Sequence, residues 1–253
     1  MRICVFMSDN RLLSNNLDNA SYHSLAAAIN YEYCKKYNYN FIYYRPYLND
    51  GDKNKIVLNN SIDPKTGLSR HSSWSKLLTT KLVLDLNYDY IVYIDSDCIF
   101  KDFNKPLEKF IKPYIDYDII FLNNKPWGKL KPCAGFFISK VCSKNIEFVN
   151  DWYNFDFLKR ENPCRWEQGA LWYIYKDPKY NIAIVDEWMF KEVDGQYLRH
   201  IGSHEGEIRI PYFKNFIKDK KIDYSNNINN IKCIDFNTNN EYEHYTLYSY
   251  QIN

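Results

Sequence analysis

Two aspartates, Asp95 and Asp97, flank a serine at the end of the apolar run Tyr90-Ile91-Val92-Tyr93-Ile94. Carboxylates two positions apart at a strand end can both approach one hard divalent cation, Mn²⁺ or Mg²⁺, which could in turn neutralise a departing diphosphate. Asp-Ser-Asp alone is an ordinary turn sequence. The apolar lead and the apolar exit Ile99-Phe100 instead set it where the carboxyl end of a buried strand meets a ligand. Lys76, near the start of a helical stretch, offers charge and helix-end N–H groups to a diphosphate. Gly135 interrupts the otherwise bulky segment Cys133-Ala134-Gly135-Phe136-Phe137-Ile138, where a missing side chain lets a ligand approach the backbone. In Arg199-His200-Ile201-Gly202-Ser203-His204-Glu205-Gly206, two imidazoles suited to Mn²⁺ stand beside two glycines that let the backbone approach a phosphate. Taken singly, the lysine reads as a solvated helix residue and either histidine as a packed one.

The elements that must position these groups alternate in type. Residues 2–7 form an apolar strand, 20–38 carry Ala26, Ile29, Tyr33 and Tyr37 at helical spacing, and Tyr39–Tyr44 turn extended. Pro46 to His71 is a long polar excursion, of a length that is often functional. Ser72-Ser73 is placed to cap a helix with Trp74, Leu77, Leu78 and Leu82 on its apolar face, running to about Asn87. After the strand at 90–94 come a short helix near 106–111, strands at 118–122 and 133–139, helices at 143–158 and 166–176 parted by Asn162-Pro163, and a strand at 182–185. The end beyond Phe236 reads as a weakly ordered polar tail, 236–253, after one domain over 1–235. The pattern predicts an α/β domain, largely parallel in its first half and mixed in its second.

The chain resembles the GT-A-fold glycosyltransferases, and is most similar to glycosyltransferase family 34, the galactosyl-, mannosyl- and xylosyltransferases. Segments in the family's order carry the likeness over roughly residues 2–205. Ala28 to Tyr39 resembles its tyrosine-containing helix running into a strand, and Ser73-Trp74-Ser75-Lys76 its Trp-x-Lys helix start. Asp95-Ser96-Asp97 resembles its metal motif, Cys133-Ala134-Gly135 its Asn-Ala-Gly strand with cysteine at the first position, and Glu167-Gln168 its Asp-Gln segment. The resemblance implies a Rossmann-like mixed sheet flanked by helices, with Asp95, Asp97 and His200 holding the metal and His204 as the reserve ligand. The family's His-x-x-Gly and following lysine are altered here, leaving Arg209 or His204 as substitutes for the lysine's diphosphate contact. By the same resemblance, Glu167 and Gln168 face the reactive side of the donor sugar. Ser8, Asp9 and Asn10 sit where such enzymes hold the nucleoside, with Tyr37 or Tyr39 to stack on it, and Ser96, Ala134, Gly135 and Gly202 join the donor site. The implied reaction is metal-dependent transfer from a nucleotide sugar, a UDP-hexose or UDP-pentose, to a carbohydrate or glycoconjugate hydroxyl, with retention of configuration.

Two other classes compete. An apolar strand ending in Asp-x-Asp also opens haloacid-dehalogenase-type phosphatases, although there this strand begins the fold. A non-catalytic module that binds nucleotide sugar or glycan is the second alternative. Composition narrows the field further. The 253 residues carry 33 Lys and Arg against 31 Asp and Glu, a net charge of +2, which argues against a general nucleic-acid binder. No apolar run approaches the length of a membrane span. Seven cysteines, odd in number and never spaced C-x-x-C, indicate neither a disulfide framework nor a thiolate zinc site, and the expected setting is a reducing cytoplasm in a microbial or viral context. The 24 tyrosines suit sugar stacking in part and core edges for the most part.

Overall fold

The computed structural model describes residues 1–47, 72–124, 130–155, 166–186, 197–238 and 245–250. The polar excursion expected after Pro46 falls almost entirely outside these residues, as do the breakers Asn162-Pro163. Three parallel strands come first: β1 (Ile3–Ser8) pairs with both β2 (Asn40–Tyr47) and β3 (Tyr90–Ile94). Helix α1 (Tyr22–Tyr37) links β1 to β2 and ends at Asn38, whose left-handed backbone (φ 58°) lets its N–H bond back to the last helical turn. A 3₁₀ turn (Ser72–Trp74) leads into α2 (Ser75–Leu84), which makes no side-chain cap. The helix begins directly from this turn, so Trp74, not a serine, takes its N-cap position.

Beyond β3 the chain makes the short β4 (Cys98–Phe100), α3 (Leu107–Ile111), β5 (Ile119–Asn123), β6 (Pro132–Lys140), α4 (Ser143–Tyr153), α5 (Glu167–Ile174), β7 (Ile182–Val185) and β8 (Leu198–His200). Helices α6 (Arg209–Lys220) and α7 (Tyr224–Asn230) precede β9 (Lys232–Thr238) and β10 (Tyr245–Tyr250). The main sheet has eight strands in the order β10-β9-β2-β1-β3-β6-β5-β7, with β6 antiparallel to both neighbours and β10 antiparallel to β9. The tail expected at 236–253 is therefore corrected. The chain continues into the sheet, with β9 lying parallel to β2 and burying Ile234 and Phe236, and the aromatic and β-branched run of β10 pairs on β9. Arg45 of β2 and Asp235 of β9 pair in a buried ion pair across that register.

Alternate residues of β1 and β3, and of β6 beyond Gly135, feed two cores, as the two-residue strand period requires. Val5, Met7, Val92, Ile94, Phe136 and Ile138 pack beneath α1, α6 and α7; Cys4, Phe6, Ile91, Tyr93, Ala134 and Phe137 pack beneath α2, α4 and α5. A separate ribbon, β4 antiparallel to β8, sets Cys98 opposite His200. Buried Asn30 of α1 fixes β4: its side chain donates to Cys98 O at 2.9 Å and accepts from Phe100 N–H at 3.0 Å. Tyr33, one turn further along, stacks on Phe100 at 3.9 Å and shares a hydrogen bond with Tyr197 at 2.8 Å.

Candidate active site

β3 ends at Ile94, and the Asp95 N–H donates to Gly135 O at 2.9 Å, so the ladder with β6 carries the backbone of Asp95 up to the point where the chain leaves the sheet. Asp97 follows immediately before β4, and Ile201, just after β8, donates its N–H to Asp97 O at 3.0 Å. The ribbon thereby brings His200 to Asp97, with Nε2 2.9 Å from Oδ1. Metal-ligating atoms of Asp95, Asp97 and His200 lie within 4.8 Å of one another. Gly135 permits this convergence: a Cβ there would fall 2.8 Å from His200 Cε1 and 3.0 Å from Asp95 Oδ2. Two carboxylates and an imidazole over a side-chain-free strand position could hold a divalent metal ion.

Each carboxylate already has protein cations. Asp97 Oδ2 lies 2.8 Å from Arg209 Nη2. Burial pushes the Asp97 carboxyl up, but His200 and Arg209 outweigh it and hold the group below its ordinary value. Burial acts on the His200 ring in the opposite sense, and the adjacent Asp97 carboxylate overrides it and raises the imidazole to about 10. Asp95 Oδ1 accepts from Lys76 Nζ at 2.9 Å and from the Tyr93 hydroxyl at 2.5 Å.

Lys76 is 3% exposed and spends its three N–H donors on Asp95, on Glu167 Oε1 at 2.7 Å and on Ala134 O at 3.2 Å. Its ammonium therefore joins the metal-site carboxylate to Glu167. Burial would lower the lysine and raise the glutamate, yet the attraction of Asp95 and Glu167 outweighs it for Lys76, and that of Lys76 outweighs it for Glu167, keeping both charged. Glu167 Oε2 meets no donor of good geometry among the described residues, although the Ser73 hydroxyl is near enough to favour its charged form. Gln168 clamps β6, its Oε1 accepting from Ala134 N–H at 2.8 Å and its Nε2 donating to Pro132 O at 2.7 Å.

A cleft of about 330 Å³ opens beside the carboxylates, and Ser8, Asp9, Asn10, Lys76, Asp95, Ser96 and Asp97 all line it. Ser8, at the end of β1, is held to α2 by a 2.8 Å hydrogen bond with Thr79. Two lining residues belonged to no motif: Arg11 and Tyr22. Arg11 chelates Asp9 through Nε at 2.8 Å and Nη2 at 2.5 Å, and its guanidinium lies 4.5 Å from the Tyr22 ring centre. The Arg209 guanidinium approaches the same ring at 4.6 Å. An arginine after an Asp-x pair in a loop has no periodicity to announce it, and only the fold brings residues 11, 22 and 209 together.

Not every expected residue reaches the cleft. Tyr39 does not line it: its hydroxyl donates to Glu108 and accepts from Leu107 N–H at 3.0 Å, and its ring stacks on Tyr37. The Tyr37 hydroxyl donates to Phe103 O at 2.6 Å, ahead of α3, and neither ring is among the residues lining the cleft. Glu167 and Ala134 are buried behind the cleft wall rather than on it. Gly202 is buried and opens the 3₁₀ turn Ser203–Ile208, which contains His204; the His204 side chain lies outside the described residues.

In comparison with solved structures, the chain superposes on a glycosyltransferase involved in the glycosylation of the major capsid of PBCV-1, with a TM-score of 0.59 and 14% identity, covering 85% of this chain and 100% of that one. The chain has the GT-A fold. The apo-form glycosyltransferase GlyE of Streptococcus pneumoniae TIGR4 aligns with a TM-score of 0.49 and 10% identity over 88% of this chain and 64% of that one. No protein-family model matches the chain, and no curated protein matches its sequence. The phosphatase alternative loses its premise, because β1 and β2 precede the Asp-bearing strand and pair within its sheet. No helix among the described residues is long and apolar enough to cross a membrane.

Proposed function

We propose that the protein is a metal-dependent glycosyltransferase that moves a sugar from a nucleotide-diphosphate donor, a UDP-sugar, to a carbohydrate hydroxyl with retention of configuration. One observation carries this: Asp95, Asp97 and His200 converge over Gly135 at the wall of a cleft whose other wall is the end of β1. Asp95, Asp97 and His200 would hold Mn²⁺ or Mg²⁺, and the bound cation would supply Lewis-acid stabilisation of the departing diphosphate. The chain's own groups do the rest. Ser8, Asp9 and Asn10 line the nucleoside end, where Asp9 is locked by Arg11 and so presents a fixed edge. Lys76 holds Asp95 in place and ties it to Glu167, and Gln168 sets the height of the β6 backbone at Ala134-Gly135 beneath the reacting sugar. Retention would follow from attack of the acceptor hydroxyl on the leaving-group face, without a side-chain base.

The test is release of nucleoside diphosphate from a panel of nucleotide sugars with Mn²⁺ present. Turnover of one donor, abolished by Asp97→Ala in a protein that still melts cooperatively, is the expected outcome. Binding of donors without turnover of any would instead support the non-catalytic module.

A further inference from the structure

Arg209 has no part in the metal set, yet its place is built. It opens α6, its Nε donates to Ile201 O at 2.6 Å, its guanidinium lies over Tyr22, and its side chain is only 11% exposed. Its Nη2 occupies Asp97 Oδ2 at 2.8 Å while His200 occupies Oδ1. A divalent cation bound to Asp97 would share one carboxylate with a guanidinium anchored beside it. At such separations in a partly desolvated site, like charges repel strongly. The neighbourhood offers little relief, because the Tyr22 ring also carries Arg11, whose own counter-charge, Asp9, is fully engaged in chelating it.

We infer that Arg209 is a tethered counter-cation for Asp97 that opposes entry of the divalent cation, so that the metal binds weakly alone and is retained when an anionic diphosphate arrives to offset the added charge. The antagonism is reciprocal by linkage: whatever Arg209 costs the metal, the metal costs the Arg209–Asp97 pair. The inference rests on the metal role proposed above and adds to it a residue that sets metal affinity without ligating.

The experiment is calorimetric titration of the full chain with Mn²⁺ alone, no nucleotide present, for the wild type, Arg209→Gln and Arg209→Lys. Removing the charge should tighten Mn²⁺ binding by about tenfold or more, and the lysine variant, which keeps the charge, should stay near the wild type. A second measurement needs no variant: in the wild type, Mg²⁺ should shift the side-chain ¹⁵N resonances of Arg209. Equal or weaker Mn²⁺ binding by Arg209→Gln, with binding by the wild type intact, would overturn the inference and leave the metal-dependent transferase standing. Absence of Mn²⁺ binding in all three proteins, with no Mg²⁺ response, would overturn both.

Discussion

At Gly135 a single added methyl group would crowd the candidate metal site. Gly135→Ala would drive a Cβ to 2.8 Å from His200 Cε1 and 3.0 Å from Asp95 Oδ2, pushing two of the three ligands apart. The fold should persist with a loss of about 1–3 kcal/mol, the usual cost of overpacking. Mn²⁺ affinity should fall by about a hundredfold, and urea unfolding paired with calorimetry separates the two effects. The protonation of His200 makes a second prediction at this scale. Because Asp97 raises the imidazole to about 10, the ring is protonated at neutral pH and must release its proton to ligate. Metal uptake between pH 7 and 8 should therefore eject close to one proton, and affinity should climb with pH until about 10. Calorimetry in buffers of different ionisation enthalpy reads that proton directly. At this scale the sequence was informative where the signal is local. Asp95-Ser96-Asp97, Gly135 and His200 stand out by type and neighbours, whereas Arg11 and Tyr22 lie in or beside a loop without pattern, and Tyr39 belongs to α3 contacts that no local spacing reveals.

At the scale of elements, the site depends on a three-residue ribbon held from behind. Asn30 satisfies two backbone groups of β4, Cys98 O and Phe100 N–H, inside the core. Asn30→Ala leaves both without their partner and should cost about 1–3 kcal/mol each. Since Asp97 directly precedes β4 and Cys98, the first residue of β4, pairs with His200, Mn²⁺ binding should weaken along with stability, even though Asn30 is bonded to neither candidate ligand. A protein destabilised in urea with unchanged Mn²⁺ affinity would show that the ribbon keeps its place without Asn30. Apart from β4, the strands and helices up to β7 were legible to within a few residues, because each is an apolar run or a helical stripe bounded by polar breakers. The region after β8 was not. Helix α6 buries only Phe213 and Ile217, too faint a stripe to read, and β9 earns its place through pairing with β2, far away in sequence. The β4–β8 ribbon was invisible for the same reason: strands of three residues gain their identity only from the partner.

Across the whole molecule, the parallel strands β1, β2 and β3 deliver their carboxyl ends to one edge, and the antiparallel insertion of β6 beside β3 brings Gly135 under the carboxylates. Two cores, one on each face of the sheet, fix α1 behind the β4–β8 ribbon and α2, which carries Lys76, on the opposite face, so the candidate metal ligands are supported from both sides. The account stands on the claim that this arrangement serves the departure of a nucleoside diphosphate. The most direct measurement is the rate of nucleoside diphosphate release from the accepted donor after exhaustive chelation, and again after Mn²⁺ is restored. The account predicts a rise of at least about a hundredfold on restoration, the scale of a Lewis-acid contribution of several kcal/mol. Full activity in the chelated protein would contradict it.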